Sequence, residues 1–183
     1  MGNDVPSAWQ NLLAGKSGIG KITRFDASDI ACQIAGEVKD FDVTQYIPPK
    51  EARRMDAFIH YGIAGAMQAI ADARLDEFAE LDKDRVGVNI GSGIGGLPAI
   101  EATANVVAAG GARKINPFFI PSSLINLIAG HVTILKGYRG PSYGIVSACT
   151  TSAHAIGDSM RMIQYGDADV MIAGGAEGAV CTL

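Results

Sequence analysis

Three short apolar runs that alternate with helical segments constrain the fold of this chain more than any other feature. The runs are Val86 to Ile90, Tyr143 to Ser147 and Val170 to Ala173. Runs of this length are typical of buried strands, and the segments around them have apolar residues at helical spacing. Strands that alternate with helices form a mainly parallel sheet covered by helices. We therefore predict an α/β fold with a mixed, mainly parallel sheet.

Helical spacing of apolar residues predicts five helices. The first is short, with Pro6 in its first turn and Gly15 as its C-terminal cap. The others span Lys50 to Leu75, residues 98 to 109, Pro121 to Lys136 and Thr150 to Tyr165. The second helix has the clearest buried stripe, formed by Met55, Phe58, Ile59, Ile63, Ala66, Met67 and Ile70. Residues 16 to 48 have no sustained period, and we predict a loop with short strands there.

Composition limits the classes of protein that fit. The chain has 183 residues, 48% of them hydrophobic, which suits a single domain over residues 1 to 183. It contains no run of 18 apolar residues, so we expect no association with a membrane. Its formal net charge of −4 argues against a nucleic-acid partner. Three cysteines far apart do not indicate a disulfide framework, and no apolar leader opens the sequence, so we expect a cytoplasmic protein.

The segment from Gly144 to Gly157 carries the clearest chemical signal. A predicted strand ends at Ser147, and a helix of small residues starts just after Cys149. The thiol of Cys149 is therefore predicted at a helix N-terminus, where free N–H groups favour the thiolate and can form part of an oxyanion hole. This arrangement favours acyl transfer to sulfur. An inert buried cysteine is the alternative for Cys149. Cys32 and Cys181 lack this setting, and we predict structural roles for them.

Several separate blocks resemble one family of condensing enzymes. Besides residues 144 to 157, the blocks are Gly18 to Phe25, Arg53 to Asp56, Ile90 to Gly96, Asn116 to Pro121 and Tyr165 to Glu177. In this order they resemble the β-ketoacyl-acyl-carrier-protein synthases, in particular the type II, chain-elongating members. The resemblance implies a thiolase-like fold, in which two similar α/β halves stack into α/β/α layers. It also implies that Cys149 is the acyl-accepting nucleophile.

The resemblance further implies that this chain covers most of the first half only. We expect it to be truncated at both ends, without the family's opening strand and without the second half, which supplies two catalytic histidines and a lysine. The implied reaction is a decarboxylative Claisen condensation with malonyl-acyl-carrier protein, which elongates a fatty acyl chain. The substrates are carried on the phosphopantetheine of an acyl carrier protein, and no cofactor is bound. We expect this chain alone to be inactive.

The glycines at 91, 93 and 96 match the spacing of a dinucleotide-binding fingerprint between a strand and a helix. The acidic residue that would hold a ribose is expected about 20 residues later, where Gly110 to Asn116 contains neither Asp nor Glu. An NAD(P)-binding oxidoreductase is therefore disfavoured. The resemblance implies instead that this turn lines the acyl pocket and that Ile94 limits the length of the acyl chain.

Two further features receive roles from the resemblance. Asn116 to Pro121 is too apolar for an ordinary exposed loop, and by itself it predicts a packed loop or a patch that contacts another protein. The resemblance implies a homodimer interface there, with Phe119 reaching toward the partner's acyl pocket. Lys50, Arg53 and Arg54 cluster at a helix start. They predict either a solvated charged face or a docking patch for the acidic carrier protein.

Some interpretations stay open. His60, His131 and His154 are predicted to be hydrogen-bonded structural residues, because no pair has metal-ligand spacing with a third ligand nearby, and we expect no metal. A non-catalytic, chain-length-setting partner of a condensing enzyme would share the fold but usually lacks the nucleophilic cysteine. A thiolase-fold enzyme that acts on coenzyme A thioesters would keep it.

Overall fold

The computed structural model describes all residues from 1 to 183. Its helices are α1 Val5–Leu13, α2 Pro49–Ala52, α3 Ala57–Asp72, α4 Leu97–Gly110, α5 Phe119–Ser123, α6 Leu127–Lys136 and α7 Thr151–Tyr165. Its strands are β1 Gly20–Lys21, β2 Ile34–Ala35, β3 Val86–Gly91, β4 Ser142–Tyr143 and β5 Val170–Gly175. None of the helices has both the length and the apolar character needed to cross a membrane.

The larger sheet contains three strands in the order β4-β3-β5, and both pairs of strands are parallel. All six residues of the central strand β3 are buried, as expected for a strand covered on both faces. β1 and β2 form a separate antiparallel pair. The register pairs Val86 with Val170 and Gly91 with Gly175. Gly91 and Gly175, the last residues of β3 and β5, therefore lie side by side at the same end of the sheet.

Alternation along β3 divides the molecule into layers. Val86, Val88 and Ile90 belong to the main hydrophobic core, which they share with residues of α3 and α6 such as Phe58 and Ile128. The intervening Asn89 is fully buried and donates a hydrogen bond from Nδ2 to the Ala155 carbonyl of α7, at 3.2 Å. Successive side chains of a strand point to opposite faces, so α3 and α6 cover one face and α7 covers the other.

The predicted helix from Lys50 to Leu75 is wrong as one continuous helix, because the chain leaves helical geometry between α2 and α3. Asp56 is extended, with φ −74° and ψ 161°. Its backbone N–H donates to the Ser122 carbonyl at 3.3 Å, and its carboxylate accepts from the Ala99 N–H at 2.8 Å. These tertiary hydrogen bonds replace the bonds of a continuing helix. Five of the seven predicted stripe residues are buried in α3, whereas Met67 in α3 and Met55 before it are half-buried against the same core.

The predicted helix from Pro121 to Lys136 is also interrupted, at Leu124, which is extended with φ −74° and ψ 131°. The hydroxyls of Ser122 and Ser123 both donate to the carbonyl of Phe119, at 2.8 and 3.0 Å. Serine side chains that bond to the backbone in this way compete with a continuing helix. The short helix α5 therefore ends before α6 begins.

The predicted strand from Tyr143 to Ser147 is shorter in the structure, since only β4 pairs with β3. Beyond Tyr143 the chain still passes close to β3, because a Cβ on Gly144 would lie 3.1 Å from the Ile90 carbonyl. The chain turns there toward Cys149 instead of continuing the ladder. The other predicted helices and strands are confirmed, with ends that differ by at most two residues.

Candidate active site

Cys149 lies in a sharp turn between β4 and α7. Residues Ala148–Thr150 form a 3-10 turn directly before the first residue of α7. Ala148 has a positive φ of 52°, a conformation that costs energy for a residue other than glycine. The Cys149 side chain is exposed. The structure therefore places the thiol where the sequence predicts it, at the start of a helix and open to an approaching group.

Three hydrogen bonds from hydroxyl-bearing residues hold this turn. The Thr151 hydroxyl donates to the Ala148 carbonyl at 2.7 Å and accepts from the Ser147 N–H at 2.9 Å. The Thr150 hydroxyl donates to the Ser147 carbonyl at 2.7 Å. These bonds flank Ala148 on both sides, so they maintain the backbone conformation that presents Cys149.

Two strand-ending glycines let the turn approach the sheet. A Cβ on Gly91 would collide with the carbonyl oxygen of Ile145 and with the Thr151 side chain. A Cβ on Gly175 would lie 2.5 Å from the Ser152 hydroxyl oxygen. A side chain at position 91 would push the chain before Cys149 and the start of α7 away from β3, so glycine is required there, whereas one at position 175 would require the Ser152 hydroxyl to rotate away.

A cavity of about 380 Å³ opens beside the thiol. It is lined by the ends of β3 and β5, by the turn that follows β3, and by Ala148, Cys149, Thr151 and Ser152. Ile94 belongs to this lining and is 53% exposed. The structure therefore brings Cys149 and Ile94 together at one cavity, although 55 positions separate them in the sequence.

Glu177 is a further residue of this cavity, for which the sequence analysis predicts no role. Its carboxylate accepts from the Ser92 hydroxyl at 2.9 Å and from the Ile94 N–H at 3.0 Å. A signal for it exists in the sequence, because an acidic residue follows the Gly174–Gly175 end of a buried strand. In parallel sheets, side chains just beyond the carboxyl ends of strands often form binding sites.

The space around the glycine-rich turn from residue 91 to 96, where a dinucleotide would bind, is filled by other parts of the chain. Glu177 already accepts the Ile94 N–H. A Cβ on Gly96 would lie 2.5 Å from Ser123 Cα, so this glycine serves close packing of the chain. A dinucleotide pyrophosphate would have to displace Glu177 to reach the N–H group of Ile94.

Phe119 lines a second cavity, of about 310 Å³, which is separate from the one at Cys149. Arg53, Arg54, Asp56 and Lys114 also line it. The single chain therefore does not bring Phe119 to the thiol, and its predicted role toward a partner subunit stays a prediction. The basic residue Lys114 joins Arg53 and Arg54 here through folding, and the sequence analysis does not include it.

The three predicted docking residues differ in the contacts that their side chains make. Lys50 is exposed. Arg53 is also exposed, although its Nε donates to the Pro49 carbonyl at 3.3 Å. Arg54 pairs with Glu51 at 3.3 Å, and its guanidinium carbon lies 4.4 Å from the centre of the Phe118 ring. Arg54 is therefore the most constrained of the three, held by an ion pair and by a cation–π contact.

Asp56 forms a buried acidic wall of the second cavity. It is 8% exposed, and its Oδ1 has no hydrogen-bond partner. Burial raises the pKa of this carboxyl, against the opposing effect of the N–H groups that bond to it. Because its hydrogen bonds join the starts of α3 and α4 to the end of α5, this residue helps to fix the shape of the second cavity.

The histidines have separate environments. His60 Nε2 lies 2.8 Å from the Ala52 carbonyl oxygen, and His154 Nδ1 lies 2.7 Å from Ser147 Oγ, which matches their predicted structural character. Burial lowers the pKa of His131. No three His, Cys, Asp or Glu side chains converge on one point, and the expectation that the chain binds no metal stays a prediction.

Comparison with known proteins identifies the family. The sequence profile described as "Beta-ketoacyl synthase, N-terminal domain" matches residues 1–183. The chain belongs to the β-ketoacyl synthase family. It is 52% identical over 179 residues to 3-oxoacyl-[acyl-carrier-protein] synthase 2 of Vibrio harveyi, a match that covers 98% of this chain and 43% of that protein. The synthase of the same name from Synechocystis is 46% identical over 183 residues, which is 44% of its length.

Solved structures confirm the thiolase-like ketosynthase fold. A β-ketoacyl synthase from Burkholderia phymatum superposes with a TM-score of 0.77 at 22% identity, covering 94% of this chain and 42% of that chain. A ketosynthase solved in complex with its type II polyketide acyl-carrier protein superposes with a TM-score of 0.74 at 28% identity, covering 79% and 41%. The chain thus spans less than half the length of the relatives it matches.

Proposed function

We propose that this chain supplies the acyl-accepting part of a 3-oxoacyl-acyl-carrier-protein synthase. The observation that carries the proposal is the exposed Cys149 thiol, presented by a strained turn at the start of α7 and open to a cavity of about 380 Å³. Relatives up to 52% identical bear the name of this enzyme. The presence of the cysteine favours a catalytic subunit over a non-catalytic, chain-length-setting partner.

The first step transfers an acyl group to sulfur. The Cys149 thiolate attacks the thioester carbonyl of an acyl carrier protein, the bond between that carbonyl and the pantetheine sulfur breaks, and the carrier leaves as a thiolate that takes a proton from water. We expect N–H groups at the start of α7 to stabilise the oxyanion that forms during this attack. The product is an acyl thioester on Cys149, with its chain in the adjacent cavity.

The second step forms the carbon–carbon bond. Malonyl-acyl-carrier protein loses CO₂, and the electron pair of the broken bond forms an enolate. The enolate carbon attacks the acyl carbonyl on Cys149, the bond from that carbonyl to the Cys149 sulfur breaks, and the thiolate is restored. We propose that histidines outside this chain, in the part that its relatives have in addition, assist the decarboxylation.

Carrier-protein docking is assigned to the basic residues near the second cavity. Arg53, Arg54 and Lys114 line this cavity, and Lys50 is an exposed residue of the neighbouring helix α2. Positive charge steers an acidic partner toward such a surface. One structural neighbour is a ketosynthase in complex with its acyl-carrier protein. Homodimer formation through Asn116 to Pro121, with Phe119 directed to the partner's acyl pocket, belongs to the same proposal, as does a cytoplasmic location.

The proposal is tested with a joined protein, in which this chain replaces the matching segment of the Vibrio harveyi relative. We expect this protein to condense acyl-acyl-carrier protein with malonyl-acyl-carrier protein, measured as the 3-oxoacyl product by mass spectrometry. The same assay with acyl and malonyl coenzyme A distinguishes a carrier-dependent synthase from a thiolase-fold enzyme that acts on coenzyme A thioesters. Faster turnover of the coenzyme A thioesters would contradict the carrier-dependent reaction.

Replacing Ile94 by phenylalanine in the joined protein should suppress elongation of long acyl chains more than that of short ones. Ile94 lines the cavity at Cys149, and overfilling a packed space costs about 1–3 kcal/mol, which is enough to change the distribution of product lengths. The measurement is product length by mass spectrometry. Ile134→Phe is the matched control, because Ile134 is 79% exposed and lines neither cavity. An equal loss at every chain length would mean that Ile94 supports the fold instead.

A further inference from the structure

The turn from residue 92 to 96 is held from one side by a single carboxylate. Glu177 Oε1 accepts from the Ser92 hydroxyl at 2.9 Å, and Glu177 Oε2 accepts from the Ile94 N–H at 3.0 Å. The Ser92 hydroxyl in turn accepts from the Gly95 N–H at 3.1 Å. Glu177 and Ser92 together therefore satisfy two successive backbone donors of the turn.

The backbone that carries this exposed carboxylate is anchored to the sheet. The Ala176 N–H donates to the Gly91 carbonyl at 3.0 Å, which extends the pairing of β5 with β3 up to the residue before Glu177. A Cβ on Gly93 would lie 2.9 Å from Glu177 Oε2 and 3.3 Å from the Ala148 carbonyl oxygen. The Glu177 carboxylate thus lies directly against the turn, and a side chain at position 93 would have to displace it.

The opposite side of the turn is packed as well. A Cβ on Gly95 would lie 2.7 Å from Ile125 Cγ1, and one on Gly96 would lie 2.5 Å from Ser123 Cα. Gly95 also has a positive φ of 79°, which glycine adopts without strain. Between this packed end and Glu177, the Ile94 side chain projects into the cavity and is 53% exposed. The position of Ile94 is therefore set by its backbone rather than by contacts of its own side chain.

We propose that Glu177 is a positioning residue that fixes Ile94 at the wall of the Cys149 cavity and thereby sets how well a long acyl chain fits. The inference rests on the proposed function, because it needs an acyl chain in that cavity. A positioning role for Glu177 differs from a purely structural role in one measurable way. Losing the carboxylate contacts should change discrimination between long and short chains, and not only the amount of folded protein.

The test measures alkylation of Cys149 in the joined protein by two reagents, iodoacetamide and N-dodecyl iodoacetamide. The quantity is the ratio of the long-chain to the short-chain rate constant, read from the Cys149 peptide by mass spectrometry. In Glu177→Ala we expect this ratio to fall about tenfold, the size of change that follows loss of hydrogen bonds to a charged acceptor. Glu177→Gln should restore most of the ratio. Its carbonyl oxygen can accept from the Ile94 N–H while its amide donates to the Ser92 oxygen.

Two further variants complete the test. Glu80→Ala is the matched control, because Glu80 is exposed and forms no hydrogen bond or ion pair, and it should leave both rate constants unchanged. Ser92→Ala should lower the ratio in the same direction as Glu177→Ala, and it carries the test if Glu177→Ala does not fold. An unchanged ratio in both variants, an equal fall of both rates with a lower melting temperature, or a Gln variant as poor as the Ala variant would overturn the role of Glu177. A joined protein without substitutions that shows no preference between the reagents would overturn the acyl cavity itself, and with it this inference.

Discussion

Replacement of Cys149 by alanine in the joined protein should lower the rate of condensation by about a thousandfold or more, the range seen when an enzyme loses its nucleophile. Alanine is small enough to fit the same turn but has no sulfur to accept the acyl group. The covalent intermediate then cannot form. The measurement is the initial rate of 3-oxoacyl product formation with acyl and malonyl carrier proteins.

Cys32→Ala is the matched control for this substitution. Cys32 is also exposed, and its thiol makes only a long hydrogen bond to the Ile34 carbonyl, at 3.6 Å. We expect its loss to leave the rate within a factor of about two, as for a surface substitution without buried contacts. Condensation that survives in the Cys149→Ala protein at a rate near that of the control would mean that another group accepts the acyl chain.

The 183-residue chain made alone should show no condensing activity and should be poorly soluble or aggregated. Large apolar side chains are exposed on the first and the last helix of the chain, α1 and α7. They include Trp9 at 57%, Leu13 at 69%, Ile156 at 57% and Met160 at 52%. Each such side chain forgoes about 1.5–3 kcal/mol of burial. The total stability of a domain is only about 5–15 kcal/mol, so a few uncovered side chains are enough to matter.

This expectation is checked by size-exclusion chromatography, thermal unfolding and the condensation assay on the purified chain. The joined protein is the control, because it adds the remainder of a relative to the same residues. A monodisperse chain that unfolds cooperatively and elongates acyl carrier protein would contradict both halves of the prediction. Recovery of solubility in the joined protein would identify uncovered apolar faces, rather than an unstable core, as the cause of the poor solubility.

The sheet and the position of the thiol are predictable from the sequence because both depend on local patterns. The apolar runs of β3 and β5 and the small residues after Ser147 contain the needed information within a few positions. Parallel pairing then follows from the alternation of strands and helices. It explains why Ile94 and Cys149, each beyond the end of a strand, share one cavity.

The break between α2 and α3 is not predictable in this way, because it depends on contacts between distant segments. Asp56 leaves the helix to bond with Ala99, 43 residues further along the chain. The contact between Glu177 and Ser92 spans 85 residues. No local spacing reports either bond. Phe119 is a third case, because its predicted role involves a partner subunit and its own chain places it in a different cavity from Cys149.

The most direct test of Cys149 as the acyl acceptor is to trap the acyl group on the protein. The joined protein is mixed briefly with acyl-acyl-carrier protein without malonyl substrate, quenched in acid and digested for peptide mapping. We expect the acyl group on the Cys149 peptide, at far higher occupancy than on the Cys32 or Cys181 peptides, because of the three cysteines only Cys149 lies at a helix start beside the cavity of about 380 Å³. Equal acylation of all three cysteines, or acylation mainly at Cys181, would contradict the assignment of Cys149 as the nucleophile.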